Sequence, residues 1–144
     1  MELPYGVAYL HESQRPLVFV AGGTGVSPIL ALLREVATTS RMADHVRWMF
    51  YGANTPEELV LREEIESLIA SLPEARFIPV LCNQPSDTFF CERGFVTEAL
   101  PRYLKDFSTY DYYLAGPPVM VHAALALLRE HHVPITQIHY DSFG

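Results

Sequence analysis

The sequence predicts a doubly wound α/β fold, with a five-stranded parallel sheet and helices on both faces, in one domain. Three observations carry that prediction. The chain has 144 residues, a length that a single hydrophobic core commonly serves. Five apolar, β-rich runs recur along it: Leu17 to Ala21, Val46 to Tyr51, Arg76 to Leu81, Tyr110 to Leu114 and Gln137 to Tyr140. Such runs read as strands buried on both faces. The segments between them carry apolar residues at helical spacing, and alternation of strand and helix builds a parallel sheet.

Between the first two strands lies VSPILALLREVA, in which Ser27 is placed to cap and Pro28 fits the first helical turn. Ile29, Leu32, Leu33 and Val36 then share one face. The second gap, TPEELVLREEIESLIASL, reads as one helix that starts behind Thr55 and Pro56 and buries Leu61, Ile65, Leu68 and Ile69. After the third strand, CNQPSDTFFCERG reads as a loop, leading to a short helical segment, VTEALPRYLKD, whose length Pro101 limits. Pro117 and Pro118 open the last helix, with Val121, Ala124, Leu125 and Leu128 on one face and an end near His131 and His132.

Nearly half the residues are hydrophobic and 19% are charged, which suits a packed interior and excludes a mainly disordered chain. A formal net charge of -7 repels phosphate backbones and anionic lipid, so neither nucleic acid nor a membrane surface is an expected partner. Local amides and a helix dipole still allow a small phosphorylated ligand. Cys82 and Cys91 lack the paired spacing of a zinc site and are too few for a four-thiolate cluster, so reduced thiols are expected. The opening MELPYGVAYLHESQRP has no basic flank followed by an apolar stretch, and no apolar run reaches membrane-spanning length. The expected location is the cytoplasm.

In an open parallel sheet, ligands bind beyond the carboxyl ends of the strands. Four segments fall there. In AGGTGVSP, Gly22, Gly23 and Gly25 permit a tight turn and let backbone N–H groups approach a diphosphate, with Thr24 as a further donor. The same segment also fits a purely structural turn, since it is not the spaced GxGxxG fingerprint and lacks the lysine of a P-loop. In YGANTPEE, Tyr51, Asn54 and Glu58 stand where the adenosine ribose of a dinucleotide would arrive. No basic residue lies between Arg47 and Arg62, which favours a free 2′-hydroxyl and hence NADH over NADPH. Thr55-x-x-Glu58 is equally a capping-box pattern, and the two roles are compatible. In YYLAGPPVMV, Gly116 lets a ligand pass close to the backbone while Pro117 and Pro118 fix the turn. The terminal HYDSFG carries Phe143, an aromatic that either joins the core or stacks on a flat ring.

Taken in order, AGGTGVSPI, YGANTPEEL, GFVTEAL, YDYYLAGPPVMV and HYDSF resemble the NAD(P)H-binding domain of the ferredoxin–NADP reductase superfamily, over nearly the whole chain. Together with the opening PYGVAYLHE, they are most similar to the reductase components of bacterial aromatic-ring dioxygenases and monooxygenases. The resemblance implies a Rossmann-like domain over residues 15–144, with residues 1–14 leading from a flavin domain that this chain lacks. It implies NADH as cofactor, presented for hydride transfer to FAD (or FMN) held mainly by that other domain. Electrons would pass onward to a ferredoxin, another iron–sulfur protein or an oxygenase component. On the same resemblance the Gly22, Gly23, Thr24 and Gly25 turn lies under the diphosphate, and Gly116, Pro117 and Pro118 lie near the nicotinamide. Gly116 and Phe143 are then the residues expected at the reaction centre.

The sequence departs from the family in three ways. Many members have cysteine where this chain has Ala115, so no thiol contribution is expected there. An arginine that NADPH-dependent members carry near the position of Asn54 is absent. The flavin domain's Arg-x-Tyr-Ser-type motif and a ferredoxin-type cysteine cluster are absent too. No metal site is expected: His131 and His132 sit at a helix end where positive charge is favourable, and His11, His45, His122 and His139 are scattered. Ser27 lacks a nucleophile elbow. Cys82 fits a buried structural thiol or a residue lining the cleft. The alternative to a flavin-dependent oxidoreductase is a non-catalytic nucleotide-binding regulatory module using the same cleft.

Overall fold

The computed structural model describes residues 10–83 and 87–142. Among the described residues the sheet is wholly parallel and has six strands: β1 Leu17–Gly22, β2 Val46–Ala53, β3 Arg76–Leu81, β4 Glu92–Arg93, β5 Asp111–Gly116 and β6 Ile138–Ser142. Their order is β4-β3-β2-β1-β5-β6. The five strands expected from the sequence are all present. The sixth, β4, falls in the segment read as a loop, and this corrects the five-stranded expectation. It is two residues long and pairs with β3 only through Val80 and Leu81, too short to show any apolar pattern.

Among the described residues four helices cover the sheet: α1 Val26–Thr39, α2 Arg62–Ala70, α3 Val96–Tyr103 and α4 Pro118–Glu130. Side chains alternate across the sheet as strand geometry requires. Leu17, Phe19 and Ala21 of β1 pack with α1 and α2 on one face, while Val18 and Val20 pack with α3 and α4 on the other. Every residue of β1 and β5 is buried, which explains their unbroken apolar character.

Two local readings are corrected. Ser27 does not cap α1; the helix begins at Val26, behind Gly25, and Ser27 is exposed in its first turn. The segment after β2 is not one helix. A 3-10 turn, Pro56–Glu58, ends at Leu59, and α2 begins only at Arg62. Leu59 is buried, and seating it against the core takes the chain out of helical geometry before the amphipathic stretch resumes. The segment VTEALPRYLKD forms a short helix, α3, which takes in Pro101 and ends two residues beyond it, at Tyr103. It is short enough that the missing N–H costs one intrahelical bond only.

Candidate functional site

The chain leaves β1 toward β2, β3 and β4 on one side and returns to β5 and β6 on the other. The topological switch point is therefore the boundary between β1 and β5, where open α/β sheets place their ligands. Ala21 is in register with Ala115, so the glycine-rich turn after β1 and the Gly116 turn after β5 emerge side by side. Gly22, Gly25 and Gly116 are buried there, and Gly23, Pro117 and Pro118 are exposed.

Physical demands on these glycines differ. Gly23 has φ +54, a conformation that a side chain makes costly. Gly25 has an ordinary helical φ of -66, yet a β-carbon on it would overlap the carbonyl of Ala115 and stand 2.5 Å from the Gly116 nitrogen. Its missing side chain is what lets the two turns touch. The Thr24 side chain and Phe143 lie outside the described residues.

Both helices that start at these turns lack a side-chain cap. The 3-10 turn Gly23–Gly25 runs directly into α1 and Pro117 precedes α4; neither Gly25 nor Pro117 has a side-chain acceptor, and the Pro117 carbonyl accepts from Val121 N at 3.0 Å. α1 and α4 lie on opposite faces of the sheet, so two positive helix ends approach the same crevice. The arrangement suits an anion such as a diphosphate. The chemistry on offer is recognition and orientation.

The loop after β2 forms the second part of the site. Glu58 Oε1 accepts from the backbone N–H of Asn54 at 3.0 Å, while Cys82 Sγ donates to Asn54 Oδ1 at 2.8 Å. The backbone carbonyl of Asn54 accepts from Asn83 N at 3.0 Å. Glu58 thus reaches back, as a capping acid does, but to the residue before Thr55; Thr55 itself makes no side-chain cap. Asn54 and Glu58 are both exposed. Tyr51, expected among the ligand contacts, is only 1% exposed; its ring is core, and its hydroxyl donates to the Glu58 carbonyl at 3.4 Å. Burial pushes its phenol pKa up, with a smaller contribution from the Glu58 charge. Tyr51 therefore supports the loop from beneath. Cys82, half-buried just after β3, joins this loop through its thiol.

The structure adds residues to which the sequence reading gave no role. Phe95 is 64% exposed at the start of α3. Its neighbour Val96 packs on the end of β2, where a β-carbon on Gly52 would stand 2.6 Å from Val96 Cγ2. The Phe95 backbone N–H donates to Glu98 Oε1 at 2.8 Å, which fixes the entry to the helix. An aromatic between a glycine and a helix start was the available signal. Val119, at 84%, is exposed on the other side, in the first turn of α4.

Residues 19–125 match the family described as the oxidoreductase NAD-binding domain. The chain belongs to that family. It is 37% identical over 146 residues to the reductase component of propane 2-monooxygenase from Rhodococcus jostii, covering 97% of this chain and 39% of that protein. It is 31% identical over 141 residues to the electron transfer component of toluate 1,2-dioxygenase from Pseudomonas putida, covering 98% of this chain and 41% of that protein. Among solved structures, the ferredoxin reductase of carbazole 1,9a-dioxygenase matches with TM-score 0.77 and 26% identity, over 95% of this chain and 40% of that one. The chain thus spans about two fifths of the curated relatives it matches. The likeness to the NAD-binding domain of ferredoxin reductase-type proteins holds over nearly the whole chain. Among the described residues, no helix is long and apolar enough to cross a membrane.

Proposed function

We propose that this domain binds NADH across the switch point between β1 and β5 and presents it for hydride transfer to FAD (or FMN) carried by a flavin-binding domain. Residues 15–144 form the binding unit and residues 1–14 the approach from the flavin domain. Onward transfer of electrons goes to a ferredoxin or an oxygenase component, the class of system to which the named relatives belong. The observation that carries the reading is the meeting of two uncapped helix N-termini at adjacent turns. Gly22, Gly23, Thr24 and Gly25 hold the diphosphate, Asn54 and Glu58 the adenosine ribose, and Gly116, Pro117 and Pro118 the nicotinamide. Phe95 offers its ring to the adenine. NADH supplies the hydride; the residues of this chain bind, orient and keep the ring in place. The two described cysteines are free thiols, in keeping with a cytoplasmic setting.

Calorimetric titration of the chain with NADH and with ADP-ribose tests this reading. Saturable binding of one equivalent of each is expected, with no reduction of an acceptor dye by the chain alone. Absence of binding for both ligands at millimolar concentration would remove it.

Cofactor choice follows from the ribose loop. Glu58 engages the Asn54 N–H through Oε1 at an exposed position, so its second carboxylate oxygen is suited to accept from a 2′-hydroxyl and its charge repels a 2′-phosphate of nearly two negative charges. Asn54→Arg with Glu58→Gln is expected to shift the NADH to NADPH affinity ratio roughly tenfold or more toward NADPH, as a change of about 1.4 kcal/mol would. Competitive titration of both cofactors reads the ratio. A parent chain that already prefers NADPH would show the assignment to be wrong.

A further inference from the structure

We propose that Met120 is a positioning residue of this crevice. Its thioether keys the two ligand-bearing turns together and sets the depth of the crevice at the nicotinamide end. A β-carbon on Gly22 would stand 2.5 Å from Met120 Sδ, and one on Gly116 would stand 2.6 Å from Met120 Cε and 3.2 Å from Sδ. One side chain therefore fills the space that two buried glycines, on different strands, leave open. The proposal rests on the reading that a dinucleotide lies across these turns.

The placement follows from the sequence. Pro117 precedes α4 and Pro118 opens it, so Met120 falls in the first turn. Long helical side chains point back toward the helix N-terminus, which here directs the thioether over the ends of β1 and β5. Methionine suits the task because it is unbranched and polarizable and reaches into an irregular gap. Met120 is half-buried and packs against the core cluster under α4. Gly116 is further hemmed by the Gly22 carbonyl, 3.1 Å from where its β-carbon would lie, so the turns have little freedom to separate.

The test uses the full chain, two ligands and a mutant cycle. Met120→Ala is expected to weaken NADH binding about tenfold while leaving ADP-ribose, which lacks the nicotinamide, within about twofold. Met120→Leu, which conserves volume, is expected to restore NADH affinity to within about threefold. In the stability arm, Gly116→Ala collides with Met120 Cε, and Met120→Ala in the same chain removes that collision. The double variant is expected to unfold at a higher denaturant concentration than Gly116→Ala alone. Equal loss of NADH and ADP-ribose affinity in Met120→Ala, or no loss of either, overturns the positioning role. A double variant no more stable than Gly116→Ala overturns the interlock. A parent chain that binds neither ligand removes the dinucleotide reading, while the stability arm still decides the interlock.

Discussion

Gly25→Ala is expected to destabilise the domain by about 3 kcal/mol, the upper end of the usual cost of overpacking, and to abolish NADH binding in the same variant. The added carbon would fall on the Ala115 carbonyl, which belongs to a central strand that is buried throughout. Backbone cannot rotate aside as a flexible side chain can, so either α1 lifts off the sheet or the two turns part. Both responses displace the helix end that is proposed to hold the diphosphate. Gly23→Ala is the informative control. Its β-carbon would have 3.6 Å of clearance from Pro117, so its cost is conformational, about 1–2 kcal/mol for a left-handed residue. Denaturant unfolding of the two variants, followed by NADH titration, separates packing from conformation. Parent-like stability in Gly25→Ala would show that the turns are not in contact.

The contrast between these glycines marks where the sequence stops being informative. The strands Leu17–Gly22 and Asp111–Gly116 were legible because burial on both faces forces an unbroken apolar run. The strand Glu92–Arg93 was not, because two edge residues have no period. The sequence also located the turn from Gly22 to Gly25, and assigned its glycines to the approach of a ligand. It could not show that Gly25 is required by Ala115, or Gly22 and Gly116 by Met120. Those partners are distant in the chain and adjacent only once the strand order is known. At the ribose loop the pattern Thr55-x-x-Glu58 correctly signalled an acid that turns back, but buried Leu59 ended the helix that the pattern usually starts. Tyr51 was placed at the right strand end. Its side chain, however, takes the core-facing position that strand alternation dictates.

Slowed flavin reduction is expected for Gly116→Val in a protein that joins this domain to the proposed flavin domain. Hydride transfer needs the donor carbon about 3 to 3.5 Å from the acceptor nitrogen, and a misplacement of about 1 Å can cost on the order of a hundredfold in rate. Any side chain at Gly116 meets Met120 Cε at 2.6 Å and the Gly22 carbonyl at 3.1 Å. Valine, branched at that carbon, must push the thioether outward into the crevice, and the ring that lies there moves with it. The expected loss is therefore larger in the rate of reduction than in NADH affinity, most of which comes from the diphosphate and adenosine contacts that Gly116 does not touch. Phe143 is proposed to flank the same position. Ser142, the residue before it, is in register with Gly116. Removal of its ring in Phe143→Ala is expected to change how readily the nicotinamide enters, again with the diphosphate contacts intact. Stopped-flow measurement of flavin reduction over a range of NADH concentrations gives rate and affinity separately, and circular dichroism confirms the fold. If both variants reduce flavin at the parent rate, Gly116 and Phe143 lose their place at the reaction centre. Gly22, Gly23 and Gly25 would keep theirs at the diphosphate.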